Sequence, residues 1–92
     1  MSGEMIRKRI VFHGWVQGVG FRYRAYYAAE GAGATGWVKN NFDGTVTMEI
    51  QGTEQQIDRV IADINRGTYV HIERMDCTSM PVDTEERRFR IK

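Results

Sequence analysis

Apolar and polar positions along this chain switch between a period of two and the spacing of a helix, and the order of the switches predicts a fold. From Arg7 to His13, Ile10 and Phe12 fall on one side and Arg9, Val11 and His13 on the other, as in a strand. Phe21, Ala25, Ala28, Ala29 and Ala32 then share one face of a helix that starts near Phe21 and runs to about Ala32, with Gly31 and Gly33 marking its end. A second strand is predicted over Thr35 to Asn40. Asp43-Gly44 signals a hairpin, and a third strand follows from Thr45 to Gln51. There Val46, Met48 and Ile50 alternate with Thr45, Thr47, Glu49 and Gln51, which predicts one buried and one wet sheet face.

The second helix is the best marked element. Thr53 is placed to cap it, Gln56 completes a capping box, and Ile57, Val60, Ile61 and Ile64 form its apolar stripe. Gly67 falls where a left-handed cap would close it. A fourth strand is predicted from Met75 to Met80, with Met75 and Cys77 on one face. Phe89 and Ile91 alternate with Arg88 and Arg90 and predict a short last strand. The order β-α-β-β-α-β plus a short C-terminal strand, with two helices packed on one face of an antiparallel sheet, defines an α+β, ferredoxin-like sandwich. That fold hosts many functions and decides none of them.

Length, charge and cysteine usage narrow the picture. A chain of 92 residues allows one domain, residues 1–92, with residues 1–5 expected as a flexible N-terminal tail. Lys plus Arg is 13 and Asp plus Glu is 12, so the formal charge is +1, and any anion binding must come from local placement of charge. The single cysteine, Cys77, excludes an intramolecular disulfide and reads as a small buried hydrophobe. With His13 and His71 as the further soft ligands, no metal-site spacing is present. Met1 to Glu4 is short and polar, and no apolar run of signal-peptide or membrane-span length follows, so a soluble cytoplasmic protein is expected.

The unusual segment is Gly14-Trp15-Val16-Gln17-Gly18-Val19-Gly20-Phe21-Arg22, between the first strand and the first helix. Glycines allow positive φ and leave no Cβ in the way of a ligand, so successive N–H groups can face one concavity. The helix start adds free N–H groups and the positive end of its dipole, and Arg22 adds a guanidinium fork. Together these suit a phosphate-sized dianion. Gly18-Val19-Gly20 lacks the third glycine of the dinucleotide fingerprint, and no Gly-Lys-Ser/Thr closes the loop as in a P-loop. On glycine content alone, a plain structural turn and an anion site stay equally open.

The same nine residues resemble the signature loop of acylphosphatases. Gly36-Trp37-Val38-Lys39-Asn40, followed by Asp43-Gly44-Thr45-Val46, resembles that family's second signature, at matching spacing from Arg22. The resemblance covers nearly the whole chain and implies hydrolysis of the carboxyl-phosphate bond of a small acyl phosphate, with inorganic phosphate as product. It implies that Arg22 binds the phosphate, that Asn40 orients the attacking water, and that the loop Gln17, Gly18, Val19, Gly20 and Phe21 cradles the phosphoryl oxygens. The family uses no metal or organic cofactor, so none is expected. Where the family pattern has bulky aliphatics this chain has Ala32 and Ala34, which implies a thinner core there or one filled by neighbours.

Other residues have plainer expectations. Arg24 is expected to be solvated or ion-paired, and Lys39 to be an exposed strand lysine. Trp15, Trp37, Tyr23, Tyr26 and Tyr27 are expected to pack around the loop and helix rather than to stack bases. His13 is expected at a strand end outside the catalytic set, and Asp83 to Arg90 as a solvated face. A competing function is a non-catalytic phosphate- or RNA-binding module on the same fold, but Thr45 to Gln51 carries no aromatic residue for bases. Acylphosphatase-like domains also occur inside larger carbamoyl-phosphate-using maturation enzymes; the single-domain length favours a free-standing hydrolase. No nucleic-acid or membrane partner is expected, and a monomer is the simplest state.

Overall fold

Residues 3–92 are described by a computed structural model, in which seven elements follow the expected order. They are β1 (Ile6–Trp15), α1 (Phe21–Ala32), β2 (Thr35–Asn40), β3 (Val46–Gly52), α2 (Glu54–Asn65), β4 (His71–Met80) and β5 (Phe89–Ile91). Of the expected tail, residues 1 and 2 lie outside the described residues, while Gly3, Glu4 and Met5 are exposed and outside any helix or strand.

β1 outruns its predicted end, and β4 starts earlier than predicted, for one shared reason. A register shift between His13 and Gly14 interrupts the pairing of the two strands, after which Gly14 faces Ile72 and Trp15 faces His71. The shift breaks the period of two that sequence patterning detects. Gly14 has φ 126°, and a Cβ there would collide with the backbone carbonyl of His71. Only glycine lets the two backbones approach at this point.

The strands form one sheet in the order β4-β1-β3-β2-β5. β1 pairs antiparallel with β3 and β4, and β2 antiparallel with β3. β5 pairs with β2 in parallel, so the sheet is mixed rather than antiparallel throughout. The cause is topological. β4 and β5 lie at opposite edges, so residues 81–88 must cross the sheet before the chain can add a last strand.

One face of the sheet carries the core. Ile10, Phe12, Val38, Met48 and Ile50 are completely buried there, together with Ala25 and Ala29 of α1 and Ile57, Val60 and Ile64 of α2. Ala34 is buried in the same core as Phe89, and Ala32 packs at its margin. α2 starts as predicted: Thr53 Oγ1 accepts from the Gln56 amide at 3.2 Å, and Gln56 Oε1 accepts from the Thr53 amide at 2.8 Å. Its end differs. Arg66, in right-handed conformation, is the C-cap, and Gly67 is not left-handed. Cys77 also departs from expectation. It faces Ile10 across the β1–β4 ladder but is exposed, because β4 is the sheet edge and nearly all its residues lie in solvent.

The opposite face is not wet as the alternation predicted. Arg7, Glu49 and Gln51 are only 6%, 7% and 3% exposed. The crossing segment covers them, so Asp83 to Arg90 is not simply a solvated face. Gln51 accepts from the Asp83 amide at 2.8 Å and donates to its carbonyl at 2.9 Å. Arg7 Nε donates to Glu49 at 2.9 Å, and its two terminal nitrogens donate to both oxygens of Glu86 at 2.8 and 3.2 Å. Burial opposes the charge on Arg7. The hydrogen bonds to Glu86 and Glu49 outweigh that cost and hold its pKa above the ordinary value.

Removing one partner of a buried ion pair leaves the other charge uncompensated. Arg7→Ala should therefore lower the free energy of unfolding by about 3 kcal/mol, read by urea denaturation. Arg7→Met, which restores volume without charge, should cost nearly as much, because Glu86 loses its ion-pair partner while Glu49 keeps only Arg9; equal stability of Arg7→Met and wild type would show that the pair carries nothing.

Candidate active site

The connection between β1 and α1 is anchored at both ends. Val16 is buried, and the Phe21 ring lies edge-on to Phe12 with centroids 4.8 Å apart. Between those anchors, Gly18 and Gly20 take φ 74° and 80°. A Cβ built at either would meet nothing within 4 Å, so a side chain would cost conformational strain rather than a clash.

This turn delivers the chain to a helix start without a cap of its own. Gly20 is the N-cap of α1 and offers no side chain, and the first turn holds no acid. The start of α2, by contrast, has Thr53, Gln56 and Glu54. The first N–H groups of any helix need partners from outside it. α2 takes its partners from its own sequence; α1 presents its amides, and the positive end of its dipole, to whatever occupies the space in front.

That space is a small cavity of about 140 Å³ lined by Gly18, Gly20, Phe21, Arg22 and Asn40, with Val16 and Tyr23. Arg22 comes from the first turn of α1 and Asn40 from the last position of β2. Both are half-buried. Arg22 Nη1 reaches the Lys92 carbonyl at 3.4 Å, a long contact that a better acceptor would displace.

The two sides of the cavity are tied together by a residue whose side chain the sequence reading overlooked. Gln17 Nε2 donates to the carbonyls of Asn41 and Thr45 at 2.7 and 2.9 Å. It thus fastens the glycine loop to the β2–β3 hairpin next to Asn40. The hairpin is itself cross-braced. Asn41 Nδ2 donates to the hydroxyls of Thr45 and Thr47 at 2.9 and 2.6 Å. Asp43 Oδ1 accepts from the Thr45 amide and hydroxyl at 3.0 and 2.6 Å. The Thr45 hydroxyl and amide hold the Asp43 carboxyl below the usual carboxylate range. The signal for this brace was present in Asn41-Phe42-Asp43-Gly44-Thr45, where short polar side chains bond their own turn.

Of the residues singled out from the sequence, Gly18, Gly20, Phe21, Arg22 and Asn40 share this cavity. Val19 instead lines a larger neighbouring groove. Trp15, Tyr23 and Tyr27 are not packed as expected but stand largely in solvent, Tyr23 at the border of this cavity. His13 is not at a strand end, since β1 continues past it, and its Nε2 lies 2.9 Å from Asp76 Oδ2. That bond, reinforced by Arg74, holds the Asp76 carboxyl below its usual range. Arg24 donates to the Asp63 carbonyl at 2.9 Å, and Lys39 is exposed as expected. Among the described residues, no helix is long and apolar enough to cross a membrane.

The architecture defines a ferredoxin-like α/β protein in which an uncapped helix start and Arg22 border a small cavity. Comparison with known proteins makes the class definite. The family model for acylphosphatase matches residues 8–91. An acylphosphatase of Geobacillus kaustophilus is 43% identical over 88 residues, spanning 95% of this chain and 94% of that protein. One from Clostridium beijerinckii is 37% identical over 89 residues, spanning 96% and 99%. The crystal structure of an acylphosphatase from Bacillus subtilis superposes with a TM-score of 0.86 at 31% identity, covering 95% of this chain and 98% of that one. The chain belongs to the acylphosphatase family, and family and fold together support an enzyme that hydrolyses acyl phosphates.

Gln17→Ala should cost about 2 kcal/mol of stability, two partly buried hydrogen bonds at the usual net value each, measured by chemical denaturation. A second expectation concerns acid. The depressed Asp43 carboxyl adds stability above its unfolded pKa and loses it as pH falls through the lower folded value. The stability of wild type should thus fall more steeply than that of Asp43→Asn as pH drops below about 4; parallel curves would remove Asp43 from the acid response.

Proposed function

We propose that the cavity at the start of α1 holds the phosphoryl group of an acyl phosphate, that Arg22 and the loop amides bind it, and that Asn40 positions the attacking water. One observation carries this reading: Arg22 and Asn40, from separate elements, line a phosphate-sized space in front of a helix that has no cap of its own.

The chemistry asks little more of the protein. Water attacks phosphorus in line with the bridging oxygen. A bond forms from the water oxygen to phosphorus, the bond from phosphorus to the acyl oxygen breaks, and its electron pair leaves on the carboxylate. An acyl phosphate dianion and water thus become a carboxylate and dihydrogen phosphate, both water protons ending on the phosphate. The leaving carboxylate has a conjugate acid of pKa about 4 and needs no proton at neutral pH, so no general acid is called for. Charge gathers on the phosphoryl oxygens as the bond breaks, and fixed donors aimed at them lower the barrier. Arg22 supplies a full positive charge, and the amides of residues 17–21 supply dipoles that need no reorganisation. Asn40 has both a carbonyl to accept from water and an NH₂ to donate to a phosphoryl oxygen. With the charge supplied by Arg22 and the backbone, the reaction requires no metal ion.

Purified protein should hydrolyse benzoyl phosphate at an undiminished rate in excess chelator. Arg22→Ala should lower kcat/KM by about a thousandfold and weaken inhibition by inorganic phosphate. Asn40→Ala should lower kcat by about a hundredfold while phosphate still inhibits at a similar concentration. Turnover by Asn40→Ala at the wild-type rate would remove the water-positioning role, and loss of turnover in chelator would remove metal independence.

A further inference from the structure

The phosphate-sized cavity does not stand alone. Next to it lies a groove of about 980 Å³ whose lining includes Trp15, Gly18, Val19, Tyr69, Val70 and Glu73. Gly18 lines both spaces, so the groove opens from the same loop residue that borders the small cavity. Its walls are mostly apolar, and two of them are aromatic rings held in solvent: Trp15 is 72% exposed and Tyr69 74%. Trp15 pairs with His71 at the start of β4, and Tyr69 lies two residues earlier, in the bend that leads into the strand. Large exposed aromatics beside a concave site bind flat apolar groups well, at low cost in side-chain entropy. The charged side chains of the lining are Glu73 and, when protonated, His71; no lysine or arginine lines it.

A phosphoryl group seated in the small cavity can extend only through its bridging oxygen, and the adjoining groove is the large space on the same loop. We propose that this groove holds the acyl part of the substrate and gives the enzyme a preference for large, uncharged, above all aromatic acyl groups over short acyl groups. Glu73 disfavours acyl groups that carry a second carboxylate. This inference rests on the acyl-phosphate reading above. It concerns what lies beyond the phosphate, which the loop itself does not select.

The test uses non-hydrolysable analogues with a methylene in place of the bridging oxygen, so that binding is read apart from turnover. By calorimetry, wild type should bind phenacylphosphonate at least about tenfold more tightly than acetonylphosphonate. In the Trp15→Ala, Tyr69→Ala double variant that ratio should approach one. Both side chains are exposed, so the variant should melt like wild type. Tyr27→Ala, an exposed aromatic on the outer side of α1, should keep the full ratio. Wild type should bind 3-carboxyphenacylphosphonate less tightly than phenacylphosphonate, and Glu73→Gln should close that gap. A wild-type ratio near one, a ratio that survives the double variant, or no binding of either analogue would overturn the proposal. Hydrolysis of benzoyl phosphate by the same preparation is read separately. Its failure beside an intact binding ratio would remove the catalytic reading and leave the groove.

Discussion

Everything at the functional end of this molecule depends on one packing contact, Phe12 against Phe21. Phe12 lies in β1 and Phe21 is the first residue of α1, so their rings join the strand to the helix that follows it. With Val16 buried as well, the eight residues between the two rings have little freedom. The chain must reverse inside a short span, and the left-handed glycines at 18 and 20 make that possible. Burial of apolar surface therefore fixes a polar site: the core holds the helix start still, and the helix start presents its amides.

The molecule handles polar groups differently at its two ends. Under the crossing segment, Arg7, Glu49, Gln51 and Glu86 are bonded to one another and further to Arg9 and the Asp83 backbone. At the glycine loop the opposite holds, since Arg22 has only a long contact to a carbonyl and α1 lacks a side-chain cap. A satisfied network adds rigidity and an unsatisfied cluster adds affinity. α1 and α2, two helices of 12 residues on the same face of one sheet, thus differ in how their starts are closed: α2 by its own capping box, α1 by no side chain.

Local chemistry in the sequence was legible and long-range placement was not. The boundaries of α1, β2 and β5 follow from apolar spacing and terminating glycines, and the capping box of α2 is a four-residue pattern. The shared cavity of Arg22 and Asn40 followed from resemblance, since nothing local links residues so far apart. Three features escaped. The bulge at Gly14 breaks the strand period, so β1 and β4 read short. The parallel pairing of β5 depends on which edge the chain crosses to, which alternation does not encode. Glu49 and Gln51 read as wet because their partners, Arg7 and Asp83, lie more than thirty positions away. Cys77 failed in the other direction, since an alternating pattern does not say that a strand lies at the edge of a sheet.

The bond from Arg7 to Glu86 has a consequence for how the molecule comes into being. It joins residues 79 positions apart, and β1 pairs only with strands made later in the chain. A ribosome adds about 5–20 residues each second. For several seconds the first strand of a nascent chain thus has no partner, and its arginine no counter-charge. β1 gains its second neighbour only when β4 is made, and the growing chain must keep Ile10 and Phe12 from other apolar surfaces until β3 and β4 have emerged.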